Sequence, residues 1–521
     1  MKIRYLAFLP CKNPFRAFIL KSMSNGKKKA LVVGAGFGGL TVSALLAYRG
    51  WDVTVVEKNS TPGGRARVWE QDGYLFDMGP SWYLMPEVFE AFFRLFGKER
   101  KDYYELEKLD PYYQVIFGSG ERVTITPHLE ETYRTFESFE SGGAKRLQEY
   151  LSQARYKYEV AMREFLYRDY RSVWDFLNWK LLIEGSRLGV FSSLDRFVGK
   201  YFKDHRAKKI LEYAMVFLGA SPKNTPGLYS IMSHVDMNLG VYYPKGGIHA
   251  IVRGLVKLCQ EQGVRFLYDT EVKSILVREG KAVGVHTVQG DLEANKVVVN
   301  ADYSHAELDL LSEEYRTYPK AYWDKAVWAP SMFIAYLGTS RKIPSLSHHN
   351  LYFSDAWDKH FYSIFQAPRW PEDPSFYLSC PSKTDPQAAP PDGENLFFLI
   401  PVAPGLPDED EFRESYFQRM LEKAETILGE KIQPYLRVKR LYSQRDFRSD
   451  YHAFKGTALG LSHTLRQTAI FRPPRRSRKV KGLYYTGHYP HPGVGVPSVF
   501  ICSVITAEGM EKDLNEEAGS G

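Results

Sequence analysis

The chain has 521 residues, of which 44% are hydrophobic and 15% aromatic, and it carries a formal net charge of +8. This length favours two or more domains over one simple core. The four cysteines are widely scattered, with no CxxC and no metal-ligand spacing. That distribution argues against disulfides and structural zinc, so we expect no metal.

The positive charge has two interpretations, a solvated surface or attraction to anionic lipid headgroups. The sequence has no nucleic-acid-binding motif, and no apolar run approaches the roughly 18 residues of a membrane-spanning helix. We therefore expect a protein that binds no nucleic acid and that lies on a membrane surface where it meets one.

Residues 1–22 mix basic residues with short apolar pieces that Pro10 and Pro14 interrupt. Such a stretch is too broken for the apolar centre of a signal peptide. A second methionine, Met23, precedes a short basic run and is typical of a natural start. We treat residues 1–22 as an N-terminal extension.

Residues 30–57 carry a dinucleotide-binding pattern. An apolar run, glycines spaced GxGxxG, a helical stretch and a second apolar run follow one another, and the glycines are Gly34, Gly36 and Gly39. The first permits a tight turn, the second lets backbone approach a pyrophosphate, and the third lets the helix pack closely on the sheet. The helix N-terminus presents N–H groups to the phosphates. The alternative is a glycine-rich turn without a ligand.

Glu57 ends the second apolar run, where its carboxylate can accept hydrogen bonds from an adenosine ribose. The loop over residues 58–65 contains paired glycines and an arginine, which suit close backbone approach and contact with an anion. The turn at residues 79–80 suits a flat ligand beside it. We expect both segments to extend the dinucleotide site, through Lys58, Gly63, Gly64, Arg65, Gly79 and Pro80.

The pattern over residues 129–238 is mostly helical, with many aromatic side chains and interleaved basic residues. Aromatic rings with basic neighbours are favoured at the lipid interface. An ordinary helical cap with a solvated charged face is the alternative. Asp175 stands among aromatic residues in this stretch and is a candidate polar group near a substrate, unless it is a capping or surface aspartate.

Apolar strands return between residues 264 and 299, and mixed strand and helix patterns follow over residues 311–475. Residues 483–487 predict a strand that ends in glycine. Residues 493–497 then lead into an apolar helix over residues 498–510, with a proline suited to its first turn. A helix N-terminus at this place can stabilise negative charge on the edge of a reduced flavin. A merely structural terminal helix is the alternative.

Nine motifs run through nearly the whole chain from residue 28: GAGFGG (34–39), PGGRA (62–66), DMGPS (77–81), YYPKGG (242–247), HHNLYFS (348–354), DPSFYLSCPSKTDPQAAPPDG (373–393), LIPVAPG (399–405), TLRQTAIFRP (464–473) and HPGVGVP (491–497). Together they resemble the bacterial-type phytoene desaturase family of carotenoid-forming flavoproteins, within the amine-oxidase-like FAD group. The middle and C-terminal motifs are specific to this family.

The resemblance implies FAD as the cofactor. Its contacts would come from the segments named above and, at the far end, from Gly487, Gly495, Val496 and Pro497, with Val272 as a backbone contact to adenine. It also implies an α/β fold: a Rossmann-like FAD-binding domain of the GR2 type, a discontinuous α+β substrate domain and a helical membrane-facing region.

The expected division of the chain follows from that fold. The FAD-binding domain takes residues 23–105, 245–310 and 476–521, and the substrate domain takes residues 106–244, with the membrane-facing helices, and 311–475. The turn over residues 488–491 departs from the small-residue run of many members, which leaves the substrate open. His488 and His491 are candidates to face the flavin, and the alternative is that they are structural residues of the turn.

The activity that the resemblance implies is desaturation of phytoene to more conjugated carotenoids, lycopene or intermediates, by hydride transfer to flavin N5. A C40 polyene would be drawn from the bilayer, since transferring about 40 carbons to water costs on the order of 30 kcal/mol. We expect a cytoplasmic, peripherally membrane-associated enzyme that passes electrons to a quinone or to oxygen.

Two classes of alternative stay open. One is a sister enzyme on the same scaffold: a later-pathway or C30 desaturase, a carotenoid oxygenase or ketolase, or an isomerase. The other is a prenyl-binding escort of the Rab GDP-dissociation-inhibitor kind, which shares the fold and is not an enzyme. The intact glycine loop and the C-terminal GVGVP argue against the escort, because a pure carrier has no use for a flavin edge.

Overall fold

The computed structural model describes residues 28–170, 188–189 and 192–519. The strands in these ranges are β1 (Lys29–Val33), β2 (Asp52–Val56), β3 (Val68–Gln71), β4 (Tyr74–Asp77), β5 (Leu106–Lys108), β6 (Tyr113–Phe117), β7 (Arg122–Ile125), β8 (Tyr242–Pro244), β9 (Arg265–Leu267), β10 (Val272–Arg278), β11 (Lys281–Thr287), β12 (Gly290–Glu293), β13 (Lys296–Val299), β14 (Ser331–Thr339), β15 (His349–Phe353), β16 (Phe376–Ser379), β17 (Glu394–Val402), β18 (Leu436–Tyr442) and β19 (Leu483–Tyr485).

The α-helices of the same ranges are α1 (Phe37–Tyr48), α2 (Pro86–Arg94), α3 (Leu129–Phe139), α4 (Gly143–Val160), α5 (Leu194–Val198), α6 (His205–Glu212), α7 (Ile231–His234), α8 (His249–Glu261), α9 (Tyr303–Leu308), α10 (Lys320–Lys325), α11 (Trp357–Phe365), α12 (Asp410–Leu428), α13 (Gln444–Tyr451) and α14 (Val496–Gly519). A π-helical turn, Val235–Leu239, continues α7.

The first sheet is parallel and has five strands in the order β19-β13-β1-β2-β9. Its central strand β1 is buried from Ala30 to Val33, as expected for a parallel strand that is covered on both faces. Helix α1 packs against both α8 and α14, so segments from the beginning, middle and end of the chain share one core. The predicted parallel α/β arrangement is thus confirmed.

The second large sheet has seven strands in the order β18-β14-β17-β16-β15-β6-β7. Adjacent strands are antiparallel except for β15 and β6. Alternate side chains of β14 and β17 take opposite faces. Phe333 and Phe398 belong to the core that includes Phe417 of α12, while Ile334 and Leu399 line an internal cavity. This sheet therefore forms one wall of the candidate site.

Several predicted segments agree with the structure in detail. The strands predicted between residues 264 and 299 are β9, β10, β11 and β13. The terminal helix differs, because it begins at Val496 and runs to Gly519 instead of covering residues 498–510. Pro497 is then its second residue, where a missing N–H leaves no intrahelical bond unmade.

Of the predicted helical stretch, residues 129–238, the structure describes residues 129–170, 188–189 and 192–238. Helices α3 to α7 with short 3₁₀ and π segments lie within residues 129–238, whereas Asp175 lies outside the described residues. Across the ranges that the structure describes, no helix combines the length and the apolar character needed to cross a bilayer. The membrane-facing role of this region and the domain boundaries stay predictions.

Candidate functional site

A cavity of about 510 Å³ lies between the carboxyl ends of the parallel strands and the seven-stranded sheet. One part is lined by the residues predicted to bind the cofactor: Gly34, Gly36, Glu57, Lys58, Gly63, Gly64, Arg65, Gly79, Pro80, Val272, Gly487, Gly495, Val496 and Pro497. Gly39 is the one predicted cofactor residue that does not line it. The structure thus brings together residues from five separate stretches of the chain.

The glycines of the first turn leave room for backbone-to-ligand contact. Gly34 has a φ of +95°, which an L side chain rarely adopts. A Cβ on Gly36 would lie 3.0 Å from Nδ2 of Asn300, whereas a Cβ on Gly39 would lie 1.9 Å from the carbonyl oxygen of Gly34. Gly39 therefore permits the helix to pack on the turn, the job that the spacing predicts for the third glycine, without facing the cavity.

The N-terminus of α1 points its free N–H groups at this part of the cavity. Gly36 precedes the helix in an extended conformation, and among the described residues no side chain caps the helix and its first turn holds no acid. The partial positive charge of the helix end is therefore left for a ligand. This arrangement suits the phosphate oxygens of a dinucleotide.

Glu57 is held in place by three donors at the end of β2. Its Oε2 accepts from the backbone N of Ala35 at 2.8 Å, and its Oε1 accepts from the backbone N and Nδ2 of Asn59 at 3.0 and 2.8 Å. A carboxylate has about four acceptor positions. One position remains for a ribose hydroxyl.

Arg65 supplies buried donors that the protein does not use. Its Nε and one of its terminal nitrogens, Nη2, have no hydrogen-bond partner among the described residues. The nearest carboxylate oxygen, Oδ2 of Asp302, is 4.0 Å from Nη2 and already accepts from the hydroxyl of Tyr489 at 2.6 Å. Buried donors of this kind are costly unless a ligand accepts from them, so they fit an anionic or carbonyl group in the cavity.

Lys58 and the C-terminal end of α13 line the same cavity as Glu57. The Lys58 Nζ donates to the carbonyl oxygen of Ser449 at 2.9 Å. Burial lowers the pKa of Lys58, and Asp450 is the first of the nearby acids that oppose this shift. His452 and Glu271 also line this cavity.

The unusual turn after β19 is fixed by a buried arginine. Arg472 donates from Nε to the carbonyl oxygen of Tyr489 at 2.7 Å, from Nη2 to that of His488 at 2.8 Å and from Nη1 to that of Gln467 at 3.1 Å. Burial lowers the pKa of Arg472 to about 10, so it stays charged at neutral pH. The turn is therefore held rigidly beside the cavity.

The two histidines of this turn have different surroundings. His488 lines the cavity, and its Nε2 has no hydrogen-bond partner among the described residues. Burial, followed by the charges of Arg65 and Arg472, holds the pKa of His488 well below its usual range, so the ring is neutral. His491 does not line the cavity; its Nε2 lies 3.2 Å from the carbonyl oxygens of Phe165 and Leu166.

The rest of the cavity is mostly apolar and is continuous with the cofactor part. Its side chains come from α4 and the turn after it, the α6–α7 region, the seven-stranded sheet and the 447–463 segment: Tyr158, Leu166, Tyr213, Ala214, Leu218, Tyr229, Ile231, Met232, Val235, Met332, Ile334, Tyr377, Phe397, Leu399, Phe447, Ala458 and Leu459. Such a lining suits a long apolar ligand, which can approach the cofactor without crossing water.

Asp236 is an acid in this apolar part that the sequence did not single out. It lies in the π-helical turn after α7 and is 4% exposed. The hydroxyls of Tyr213 and Tyr113 donate to its Oδ2 at 2.9 and 3.2 Å. Burial raises the pKa of Asp236 to about 7. A generic helical aspartate carries no motif, and its partners are distant in sequence, so a single sequence gave no signal for it.

Comparisons with known proteins agree with this geometry. The model of the family described as flavin containing amine oxidoreductase matches residues 37–509. A carotenoid 3,4-desaturase from Haloarcula japonica is 45% identical over 485 residues, covering 93% of this chain and 98% of that protein. A zeta-carotene-forming phytoene desaturase from Myxococcus xanthus is 34% identical over 494 residues, covering 94% of each.

Among solved structures, an oxidoreductase from Methanosarcina mazei superposes with a TM-score of 0.61. It is 18% identical in sequence and covers 93% of this chain and 100% of its own. At this identity the likeness concerns the fold.

Proposed function

We propose that this protein is an FAD-dependent carotenoid desaturase, because the chain belongs to the flavin-containing amine oxidoreductase family and to its carotenoid desaturase group. Membership of this family makes the protein a flavin-dependent oxidoreductase, which argues against the alternative of a non-enzymatic prenyl escort. The observation that carries the proposal is that a dinucleotide cradle and an apolar compartment belong to one continuous cavity.

FAD is the flavin that the cradle supports. The glycine turn with the α1 N-terminus suits a pyrophosphate, and Glu57 keeps an acceptor position for an adenosine ribose. The buried Arg65 donors and the start of α14 line the same cavity. FMN lacks the adenosine half and would leave Glu57 and the glycine turn without their ligand groups.

A bound flavin supplies a hydride acceptor, which no side chain can be. The protein itself holds the polyene against the cofactor and keeps water out of the site. Both roles follow from the buried apolar lining of the cavity. The predicted supply of substrate from a bilayer, the membrane-facing helices and a quinone or oxygen as electron acceptor complete the proposal.

The substrate has two candidates. The higher identity to a carotenoid 3,4-desaturase favours a later-pathway step, in which two hydrogens leave C3 and C4 of a carotenoid that is already partly conjugated. Phytoene, the substrate implied by the sequence motifs, stays a prediction that the 34% relative supports. The two substrates share the cradle and differ in which carbon pair must reach the cofactor.

The test is turnover in liposomes that contain either phytoene or a conjugated acyclic carotenoid, with FAD and a quinone. We expect the absorption of the conjugated carotenoid to move to longer wavelength as its polyene lengthens, with little change in phytoene. Turnover of phytoene alone would return the assignment to phytoene desaturation. A folded protein that takes up no FAD, or that changes neither substrate, would refute the proposal.

A further inference from the structure

Dehydrogenation of a CH–CH pair releases a proton as well as a hydride, and the proton needs an acceptor in a cavity that excludes water. The described part of the cavity lining holds five acids, Glu57, Asp236, Glu271, Asp302 and Asp450. Four of them lie on the cofactor side, and their carboxylates are engaged by donors or cations of the protein. The fifth, Asp236, faces the apolar compartment.

The two carboxyl oxygens of Asp236 have different surroundings. Both tyrosine hydroxyls, of Tyr213 and Tyr113, donate to Oδ2. Oδ1 is buried and has no hydrogen-bond partner among the described residues. The backbone at this place is π-helical, a local irregularity that is frequent at functional sites.

His463 and His488 also line the cavity, and both are poorer proton acceptors than Asp236. His463 accepts from the backbone N of Val494 through Nε2 at 3.1 Å, and its Nδ1 lies 2.6 Å from the hydroxyl of Tyr229. The charges of Arg65 and Arg472 add to burial in disfavouring a proton on His488. Neither ring is a good proton acceptor.

We propose that Asp236 is the proton acceptor of the dehydrogenation, through Oδ1. The inference rests on the proposed function and names a further catalytic residue for it. At one carbon the C–H bond breaks with both electrons leaving as hydride to the flavin. At the neighbouring carbon the proton forms an O–H bond with Oδ1, and the electron pair of that C–H bond becomes the second bond of the new C=C.

The surroundings of Asp236 suit an acid that both takes up and releases a proton near neutrality. Burial raises its pKa to about 7, and the two tyrosine hydrogen bonds, followed by the backbone N–H groups of Met237 and Asp236 itself, oppose part of this rise. The titratable groups that face it are the four tyrosines Tyr112, Tyr113, Tyr150 and Tyr213, whose pKa values burial raises above the usual one. All four tyrosines are therefore neutral near pH 7. A general base works best when its pKa is near the working pH, which is the case for Asp236.

The test compares wild type with Asp236→Asn, both purified with bound flavin and mixed anaerobically with carotenoid liposomes. The rate constant of flavin bleaching is followed from pH 5.5 to 9. In the wild type it should rise as pH passes about 7, because the carboxylate is the active form. Asp236→Asn should be slower by about 10² to 10⁴, with a flat pH profile, the usual contribution of a positioned base.

Tyr113→Phe provides a second variant that keeps the carboxyl group. It removes one hydrogen bond to the ionised form, so the midpoint of the pH profile should move to higher pH while the limiting rate is largely kept. The matched control is Tyr416→Phe, whose buried hydroxyl donates to the carbonyl oxygen of Pro371 on the far side of the seven-stranded sheet. Its midpoint should equal that of the wild type.

An infrared titration of the flavin-loaded protein without substrate gives an independent measurement. In the difference between the wild-type and Asp236→Asn titrations, a carboxylic C=O band should disappear with a midpoint near pH 7, because other buried acids such as Glu212 contribute to both proteins. The inference would be overturned if the flavin of Asp236→Asn bleached with the same rate constant and the same pH profile as that of the wild type. A variant that loses carotenoid binding but keeps the limiting rate would overturn it as well. Absence of bleaching in the wild type with every carotenoid would refute the proposed function instead.

Discussion

Valine at position 36 should remove the cofactor without unfolding the protein. Gly36 has ordinary extended dihedrals, φ −76° and ψ 178°, so a side chain is tolerated by the backbone. Its Cβ would lie 3.0 Å from Asn300 Nδ2 and 4.0 Å from backbone atoms of Gly63 and Gly64. The two methyl groups of valine would therefore occupy the place of the phosphates between these walls.

The size of the effect follows from the contacts that are lost. A pyrophosphate pushed away from the α1 N-terminus loses about two charge-assisted hydrogen bonds, each of about 1.5–3 kcal/mol. At about 1.4 kcal/mol per tenfold change, the dissociation constant for FAD should rise by about 10² to 10⁴. The protein should then be purified without its yellow colour.

The assay is the flavin absorbance of the purified protein, followed by titration of the apoprotein with FAD. Gly509→Ala is the control: it adds a methyl group at a buried position in α14, where the nearest atoms lie at 3.7 and 3.8 Å. It should bind FAD as the wild type does. Normal flavin content in a folded Gly36→Val would show that the cofactor does not use this turn.

Three further predictions concern stability. Gly39→Ala should lower the melting temperature even without cofactor, because its Cβ would sit 1.9 Å from the carbonyl oxygen of Gly34, and overpacking costs about 1–3 kcal/mol; an unchanged melting curve would contradict this contact. Arg472→Met should cost a few kcal/mol in chemical denaturation, because three buried or partly buried carbonyl oxygens lose their donor, and a loss below about 1 kcal/mol would argue against it. Glu212 is buried with its pKa raised to about 8, so the folded state holds the proton more tightly and stability falls as pH rises from about 4.5 to 8. Urea titrations at pH 5 and pH 8 measure this change in the free energy of unfolding, and it should be smaller in Glu212→Gln than in the wild type. An equal change in both proteins would refute the assignment.

The cofactor half of the site was predictable because its constraints are local. Gly34, Gly36 and Gly39 lie close together in the chain, and each has a different reason to be glycine: a positive φ, room for a ligand and close packing of the helix. Glu57 directly follows strand β2, which fixes its position. Of its two donor residues, Asn59 is two positions further along the chain and Ala35 lies in the glycine turn after β1. Short-range geometry of this kind leaves a pattern in the sequence. The FAD contacts themselves stay predictions.

The substrate half was not predictable, because its groups meet only in the folded chain. Asp236 and Tyr113 are 123 positions apart, and an aspartate in a helical stretch has the same sequence pattern whether it is solvated or buried. Apolar residues such as Ile334 and Leu399 belong to strands that are buried throughout, so their pattern cannot tell which face meets a cavity. The candidate chosen from the sequence, Asp175, lies outside the described residues.

Asp236 also bears on why an apolar cavity keeps an acid at all. Its folded pKa of about 7 exceeds the ordinary value of 3.8, so the folded state loses stability as pH rises between these values. The difference of about three pKa units corresponds to about 4 kcal/mol at alkaline pH, as an order of magnitude. A hydrocarbon forms no hydrogen bond that would offset this cost. The acid is therefore better explained by a chemical step than by binding, and Asp236→Asn should be more stable than the wild type at pH 8 while it desaturates more slowly.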